Sequence, residues 1–434
     1  MNCEILKILY LRSNGEIPCN CAAGERINLG WAFDDSNWNI AEVFENANYN
    51  TIRESFSKGK APWGSICENC AFFVPQEPMD DQLRNRRIEK FHIEPALTCA
   101  LQCPGCSRAD QIKRRKPPFV LSESILQRVL DSIVENDFEV ESLFYCGQGE
   151  PLNHPRFQTL AGMTKKALPK TPQTVFTNGN FAFSKIFDPS NYLPESFVIS
   201  ADGLFQENYE KYRVNGDIKL ALQFMKDLKS IPNPPYVEWK YILFTYNDSN
   251  EEIKRAQEKA IELGVDRITF VLTHSIGKSE RYTYDNIDEL DLLPGIGFHS
   301  STPHLYYERE LAELVSTSRV KVEAGVALEI ESFSRNNGGL VILQVILKGI
   351  DHKQGGFFEV SIDGETMGMV DLNRLTESKG SFPVVLTKKN VSLEKIDHEI
   401  ACRLLEKDTK IRSEWSYKFS FAEASLHTHT ATAR

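Results

Sequence analysis

The sequence predicts an α/β fold: a partial (β/α)6 barrel flanked by an irregular cysteine-bearing N-terminal region and a β-rich, sandwich-like C-terminal domain. Three observations support this. From about residue 89 to 300, short β-rich segments alternate with helical ones, the pattern of a parallel sheet joined by right-handed crossovers. After about residue 315 the helical period fades into strand-like runs separated by Gly, Asn and Asp. Before about residue 88, Gly, Asn and Pro are scattered between short apolar pieces. A chain of 434 residues exceeds one compact domain of ordinary size, so several units are expected.

The elements follow in order. Residues 1–88 open on MNCEILKILYLRSNG, an early strand, and carry the pairs Cys19/Cys21 and Cys67/Cys70. A segment with little core and four paired cysteines is expected to organise around a metal. Within 89–300, FHIEPA reads as a strand, and SESILQRVLDSIVEND has helical apolar spacing with Ser122 as its cap. ESLFYC, TVFTNG, SFVISADG and YVEWKYILF continue as strands; the helix NDSNEEIKRAQEKAIELG and the strand DRITFVLTH follow. In 315–425, VKVEAGVALEIESF, LVILQVILKG, FFEVSIDG and FPVVLTKKN read as four strands of a β-sandwich. The tail 426–434, LHTHTATAR, has the character of a frayed terminus, and no repeat of fixed period occurs.

Composition narrows the function classes. The chain is 41% hydrophobic and 25% charged and lacks an apolar run of membrane-spanning length, so no membrane association is expected. Its start lacks a basic region followed by an apolar stretch and a cleavage site, which predicts a cytoplasmic protein. Ten cysteines without an export signal point to metal ligation or redox chemistry rather than disulfides. A net charge of −10 argues against a nucleic-acid partner. The basic run Lys113-Arg114-Arg115-Lys116 reads as a Pro-flanked loop, either simply solvated or a docking point for an acidic electron donor.

The strongest motif is TCALQCPGCSR, which sets Cys99, Cys103 and Cys106 with three and two residues between them directly after a strand. A structural zinc site closes with four protein ligands, and a four-iron cluster normally takes four cysteines. Three thiolates therefore leave one corner of a [4Fe-4S] cube open to a ligand from solution, although a zinc or redox site with a distant fourth ligand stays open at this point.

This spacing at the end of the first barrel strand resembles the radical S-adenosylmethionine (radical SAM) superfamily, whose barrel is TIM-like. The resemblance implies that Cys99, Cys103 and Cys106 hold the cluster whose free iron chelates S-adenosylmethionine. YCGQGEPL resembles the Gly-Gly-Glu-Pro segment that receives the methionine ammonium, which carries over to Gly147, Gly149 and Glu150, with Gln148 departing from the usual small residue. Thr177-Asn178-Gly179 resembles the cofactor-contacting segment after the third strand. Ser200 and Asp202 stand where the family binds ribose or substrate, and Arg213, Lys240 and Asn247 are further candidates for cofactor or substrate contacts. Pro104-Gly105 departs from relatives with a bulky residue between the last two cysteines.

The segments LYLRSNGEIPCNC and IRESFSKGKAPWGSICENC resemble the auxiliary-cluster element called SPASM or twitch, with the departure that it precedes the barrel. Cys19, Cys21, Cys67 and Cys70 are then implied to bind a second [4Fe-4S] cluster; structural zinc satisfies the same spacing. Cys3, Cys146 and Cys402 are left without a role, Cys402 reading as core. The implied reaction is reductive cleavage of the cofactor followed by hydrogen abstraction from a carbohydrate or aminoglycoside-type small molecule, with a ribosomally made peptide as the alternative substrate. A flavodoxin or ferredoxin-type reductant is the implied partner. A non-catalytic iron–sulfur electron carrier is the rival of another class.

Overall fold

The computed structural model describes residues 1–19, 27–68, 70, 73–74, 78–273, 275–283, 286, 290–293, 300–304, 313–321, 326–335, 338–347, 357–371, 382–391, 398–406 and 411–419. The chain divides into two units, the first formed by Met1–Val198 with Arg213–Gly216 and the second by Ile199–Tyr212 with Asp217–Arg434.

The first unit holds β1 (Asn2–Cys3), β2 (Ile8–Leu11), β3 (Glu16–Pro18), β4 (Asn28–Trp31), β5 (Phe73–Val74), β6 (Arg87–Ile93), β7 (Glu139–Tyr145) and β8 (Gln173–Thr177). Strands β2, β6, β7 and β8 are successive parallel neighbours, with Ile8 opposite Lys90, Phe91 opposite Leu143 and Tyr145 opposite Val175. The early strand of the sequence reading is therefore an edge of the parallel sheet. Its ILYL run is buried throughout, as a strand covered on both faces requires.

Helices return the chain between these strands. Glu123–Glu135 turns Leu126, Val129, Leu130 and Ile133 inward, and Phe157–Ala167 does the same with Phe157, Leu160 and Ala161. Each such Val, Leu, Ile or Phe side chain contributes roughly 1.5–3 kcal/mol over its exposed state. The Ser122 hydroxyl caps its helix by accepting from the Ile125 N–H at 3.2 Å, as its position predicts. β3 and β4 form an antiparallel hairpin, and β1 pairs with β5.

β9 (Ser196–Ser200) carries the chain into the second unit, where β10 (Tyr236–Ile242), β11 (Arg267–Val271) and β12 (Ser300–His304) are parallel neighbours. Helices Ile218–Ser230 and Asn250–Leu263 alternate with them; the latter ends at Gly264, whose φ of +73° suits glycine.

The remaining strands are β13 (Glu313–Lys321), β14 (Val326–Arg335), β15 (Gly338–Leu347), β16 (Phe357–Ile362), β17 (Glu365–Asp371), β18 (Phe382–Val391), β19 (His398–Leu405) and β20 (Ile411–Phe419). They form two four-stranded sheets, ordered β13-β14-β15-β18 and β17-β16-β19-β20, with antiparallel pairing. One expectation is corrected here. VKVEAGVALEIESF is not a single strand but contributes to two, with Lys321 opposite Ala327. Strand-forming residues on both sides of Gly325 mask the reversal in the sequence. Cys402 is fully buried opposite Val360, with Phe358, Ile400 and Leu404, so it is a core residue. Among the described residues no helix is long and apolar enough to cross a membrane.

Candidate active site

The site assembles on the loop after β6. Its first residues are clamped by hydrogen bonds from the Leu97 N–H to the Phe119 carbonyl and from the Leu121 N–H to the Pro95 carbonyl, both 2.8 Å. The triad follows at once. Cys99 and Cys103 are half-buried and Cys106 is exposed.

Each of the three sulfurs faces N–H donors. The Leu101 N–H approaches Cys99 Sγ at 3.4 Å, and Asn178 Nδ2 approaches the same sulfur at 3.6 Å; Arg213 Nη1 lies 3.8 Å from Cys103 Sγ; the Arg108 N–H lies 3.5 Å from Cys106 Sγ. Such donors favour an anionic sulfur and tune an iron–sulfur cluster. Burial opposes them by pushing the Cys99 thiol up to about 11, with Glu150 adding to the effect; a bound cation reverses that balance. Among the described residues, no three His, Cys, Asp or Glu side chains converge on one ion. Three thiols on one short loop are the donor type that a cluster takes when its thiolates sit on separate irons.

The turn after β7 packs directly against this loop, which explains its glycines. A Cβ on Gly149 would stand 2.1 Å from the Ala96 carbonyl oxygen, and one on Gly147, whose φ is +135°, would stand 2.5 Å from Glu94 Cγ. No side chain fits either place. The Glu150 N–H then donates to the Thr98 carbonyl at 2.9 Å. The Glu150 carboxylate is buried and accepts from the Leu152 N–H at 3.1 Å, Thr177 Oγ1 at 2.7 Å and the Asn178 N–H at 2.8 Å. Burial raises it to about 7 against these bonds and the nearby Arg213 guanidinium. Glu150 thus ties the turn after β7 to the Thr177-Asn178 segment after β8, and Asn178 in turn reaches Cys99.

Arg213 comes to the same loop because the Gln102 N–H donates to the Val214 carbonyl at 3.0 Å. The second unit carries the other candidates. Ser200 ends β9, and the next residue's N–H donates to the Lys240 carbonyl of β10 at 3.0 Å. Asp202 is buried and accepts from the Ile242 N–H at 2.7 Å, while Asn247 Nδ2 donates to the Asp202 and Ile242 carbonyls at 3.2 and 3.0 Å. Asn247 therefore shapes the turn after β10.

Several residues escaped the sequence reading. Lys113-Arg114-Arg115-Lys116 is only in part the solvated loop expected, since three of its side chains are exposed and one is not. Lys113 and Arg114 end a helix, Arg108–Arg114, and Arg115 is buried. Arg115 Nη1 and Nη2 grip Glu94 Oε2 and Oε1 at 3.1 and 2.6 Å, and Nη2 also reaches Ser13 Oγ at 3.2 Å. Glu94 further accepts from the Gln148 N–H at 3.2 Å, and Ser107 Oγ donates to Gln148 Oε1 at 2.6 Å. Gln148, the departure from the usual small residue, is thereby stitched to the residue that follows Cys106. The only hint in the sequence was that Glu94 is a charged residue within FHIEPA, the run read as the strand before the triad.

Beneath the turn, Tyr10, His92, Phe144 and Phe176 of β2, β6, β7 and β8 form a row of rings with successive centroid separations of 5.2, 5.2 and 5.9 Å. His92 Nδ1 lies 3.3 Å from Cys146 Sγ, and burial with Lys90 lowers His92 to about 4, keeping it neutral. In the N-terminal region, Cys19, Cys67 and Cys70 are half-buried, and Cys21 lies outside the described residues.

No family model and no curated protein matches the chain. Among solved structures it is similar to Streptococcus suis SuiB bound to S-adenosylmethionine, at 17% identity over 65% of this chain and 67% of that one, with a TM-score of 0.36. Methylornithine synthase (PylB) is similar at 16% identity over 44% and 55% of the two chains, with a TM-score of 0.32. BtrN in complex with AdoMet and 2-DOIA is similar at 12% identity over 50% and 56%, with a TM-score of 0.22. At TM-scores this low the similarity says nothing about this chain's chemistry.

Proposed function

We propose that the chain is a radical SAM enzyme, built on a partial (β/α)6 barrel, that acts in the cytoplasm on a carbohydrate or aminoglycoside-type small molecule. The carrying observation is the triad loop itself, in which three cysteine sulfurs in one short segment each face N–H donors. Cys99, Cys103 and Cys106 would hold a four-iron cluster there, and that group would supply the electron for reductive cleavage of S-adenosylmethionine to methionine and a 5′-deoxyadenosyl radical.

The chain's own residues bind and orient. Glu150, buried and ionisable near neutrality, offers charge to the cofactor's ammonium while holding Thr177 and Asn178 in place. The glycines at 147 and 149 let the turn lie against the loop. The partly exposed rings of Phe144 and Phe176 give an apolar wall of the kind that packs against a sugar's C–H face. Exposed Lys113, Arg114 and Lys116, close in sequence to the triad, suit docking of an acidic flavodoxin or ferredoxin-type reductant.

The test is anaerobic. Protein reconstituted with iron and sulfide, given dithionite and S-adenosylmethionine, is expected to release 5′-deoxyadenosine without substrate, and Cys99→Ala, Cys103→Ala or Cys106→Ala to abolish it. Cleavage that persists in the triple variant would sink the assignment. Deuterium transfer from candidate sugars, aminoglycosides and peptides into 5′-deoxyadenosine then identifies the substrate class.

A further inference from the structure

Cys3 is the cysteine to which the sequence reading attached no role, yet the fold delivers it to the N-terminal thiols. The Cys67–Cys70 turn closes through the Cys70 N–H to the Cys67 carbonyl at 2.9 Å, and the Phe73 N–H then donates to the Cys70 carbonyl at 3.0 Å. Phe73 is the residue opposite Cys3 in the β1–β5 pair. A strand of two residues thus lays Cys3 beside the Cys67–Cys70 turn.

Cys19 arrives from the other direction. The chain reverses at Gly15, φ +84°, where the Arg12 N–H donates to the Glu16 carbonyl at 3.0 Å. β3 then runs back toward the start of β2, the end from which the short helix Glu4–Leu6 leads to Cys3. Negative charge on Cys70, Cys19 or Cys67 acts on the Cys3 thiol, and Cys19 likewise feels Cys70 and Cys67. Four sulfurs from three separate segments therefore lie within electrostatic reach of one another. Packing alone accounts for a half-buried Cys3, but not for its lying beside thiols from two other segments of the chain.

We propose that Cys3, with Cys19, Cys67 and Cys70, completes the ligand set of an N-terminal iron–sulfur cluster. This rests on the reading of that region as an auxiliary-cluster element. Four thiolates saturate a four-iron cluster, so Cys21 is not required.

The test uses the full chain with Cys99, Cys103 and Cys106 changed to alanine, so that all remaining iron reports on the N-terminal centre. After anaerobic reconstitution this parent is expected to hold about four irons and to give an electron paramagnetic resonance signal on reduction. Cys3→Ser should lose the iron or shift the signal, while Cys21→Ser keeps both. The opposite pattern, with iron and signal intact in Cys3→Ser and lost in Cys21→Ser, overturns the proposal alone. A parent holding zinc, or no metal, overturns the auxiliary-cluster reading and the proposal with it. Alkylation of the unaltered protein decides the matter even where Cys3→Ser does not fold. Cys3 should resist iodoacetamide when the clusters are loaded and react after they are chelated away, whereas equal labelling before and after overturns the assignment.

Discussion

Glu150 has two demands on one carboxylate. Three protein donors converge on its two oxygens, and burial raises its pKa from 4.5 to about 7. Because the folded value lies above the unfolded one, its contribution to stability is present below about pH 4.5 and is lost as pH rises through 7. A bound ammonium opposes that loss. Affinity for S-adenosylmethionine should therefore rise as pH passes through about 7 and be flat in Glu150→Gln, as titration calorimetry would read. At pH 8 that variant should bind roughly ten- to a hundredfold more weakly, from losing a charge-assisted bond worth about 1.5–3 kcal/mol. Unchanged affinity would make Glu150 purely structural. Arg115 offers a second test at this scale. Its removal leaves Glu94 buried without its bidentate partner, so Arg115→Ala should cost about 3–5 kcal/mol in urea unfolding. The exposed Lys113 and Arg114 should each cost under about 0.5 kcal/mol. Equal effects at all three positions would return Arg115 to the solvated-run reading.

Two glycines separate what an element needs from what it merely tolerates. Gly149 sits where the turn after β7 meets the backbone before the triad, with no room for a methyl group. Gly149→Ala must push the loop away, costing at least about 1–3 kcal/mol and loosening the triad's hold on iron. Melting temperature and iron content should fall together; a fall in neither would mean that loop and turn are not coupled. Gly162, inside the helix Phe157–Ala167, has nothing within 4 Å of an added Cβ. Gly162→Ala should raise stability by about 0.5–1 kcal/mol, visible as a higher melting temperature with cofactor cleavage intact. The elements themselves were legible because their signals are local. Helical apolar spacing and the Ser122 cap predicted Glu123–Glu135, and β-branched and aromatic runs predicted β6 through β11. VKVEAGVALEIESF misled because strand-forming residues flank Gly325 on both sides, so one glycine is the only interruption the run shows.

At the scale of the whole chain, iron content tests both centres at once. Reconstituted protein should carry about eight irons, falling to about four when Cys67 and Cys70 are both replaced, since each four-iron cluster is one unit. Uncoupled cleavage of S-adenosylmethionine should survive that double replacement, while turnover of the substrate fails. One zinc beside four irons would make the N-terminal site structural. What the sequence determined by itself is what neighbouring residues encode: the α/β alternation, the spacing of Cys99, Cys103 and Cys106, and the Gly-Glu-Pro turn at a strand end. Tertiary structure alone decided that Ser13, Glu94, Arg115 and Gln148 form one hydrogen-bonded network, that β2 joins the parallel sheet beside β6, and that Cys3 pairs with Phe73, in the strand after the Cys67–Cys70 turn. Periodicity and motif spacing describe a residue's relation to its near neighbours. A buried charge or a shared ligand set depends on segments tens of residues apart, and only the packed chain brings those together.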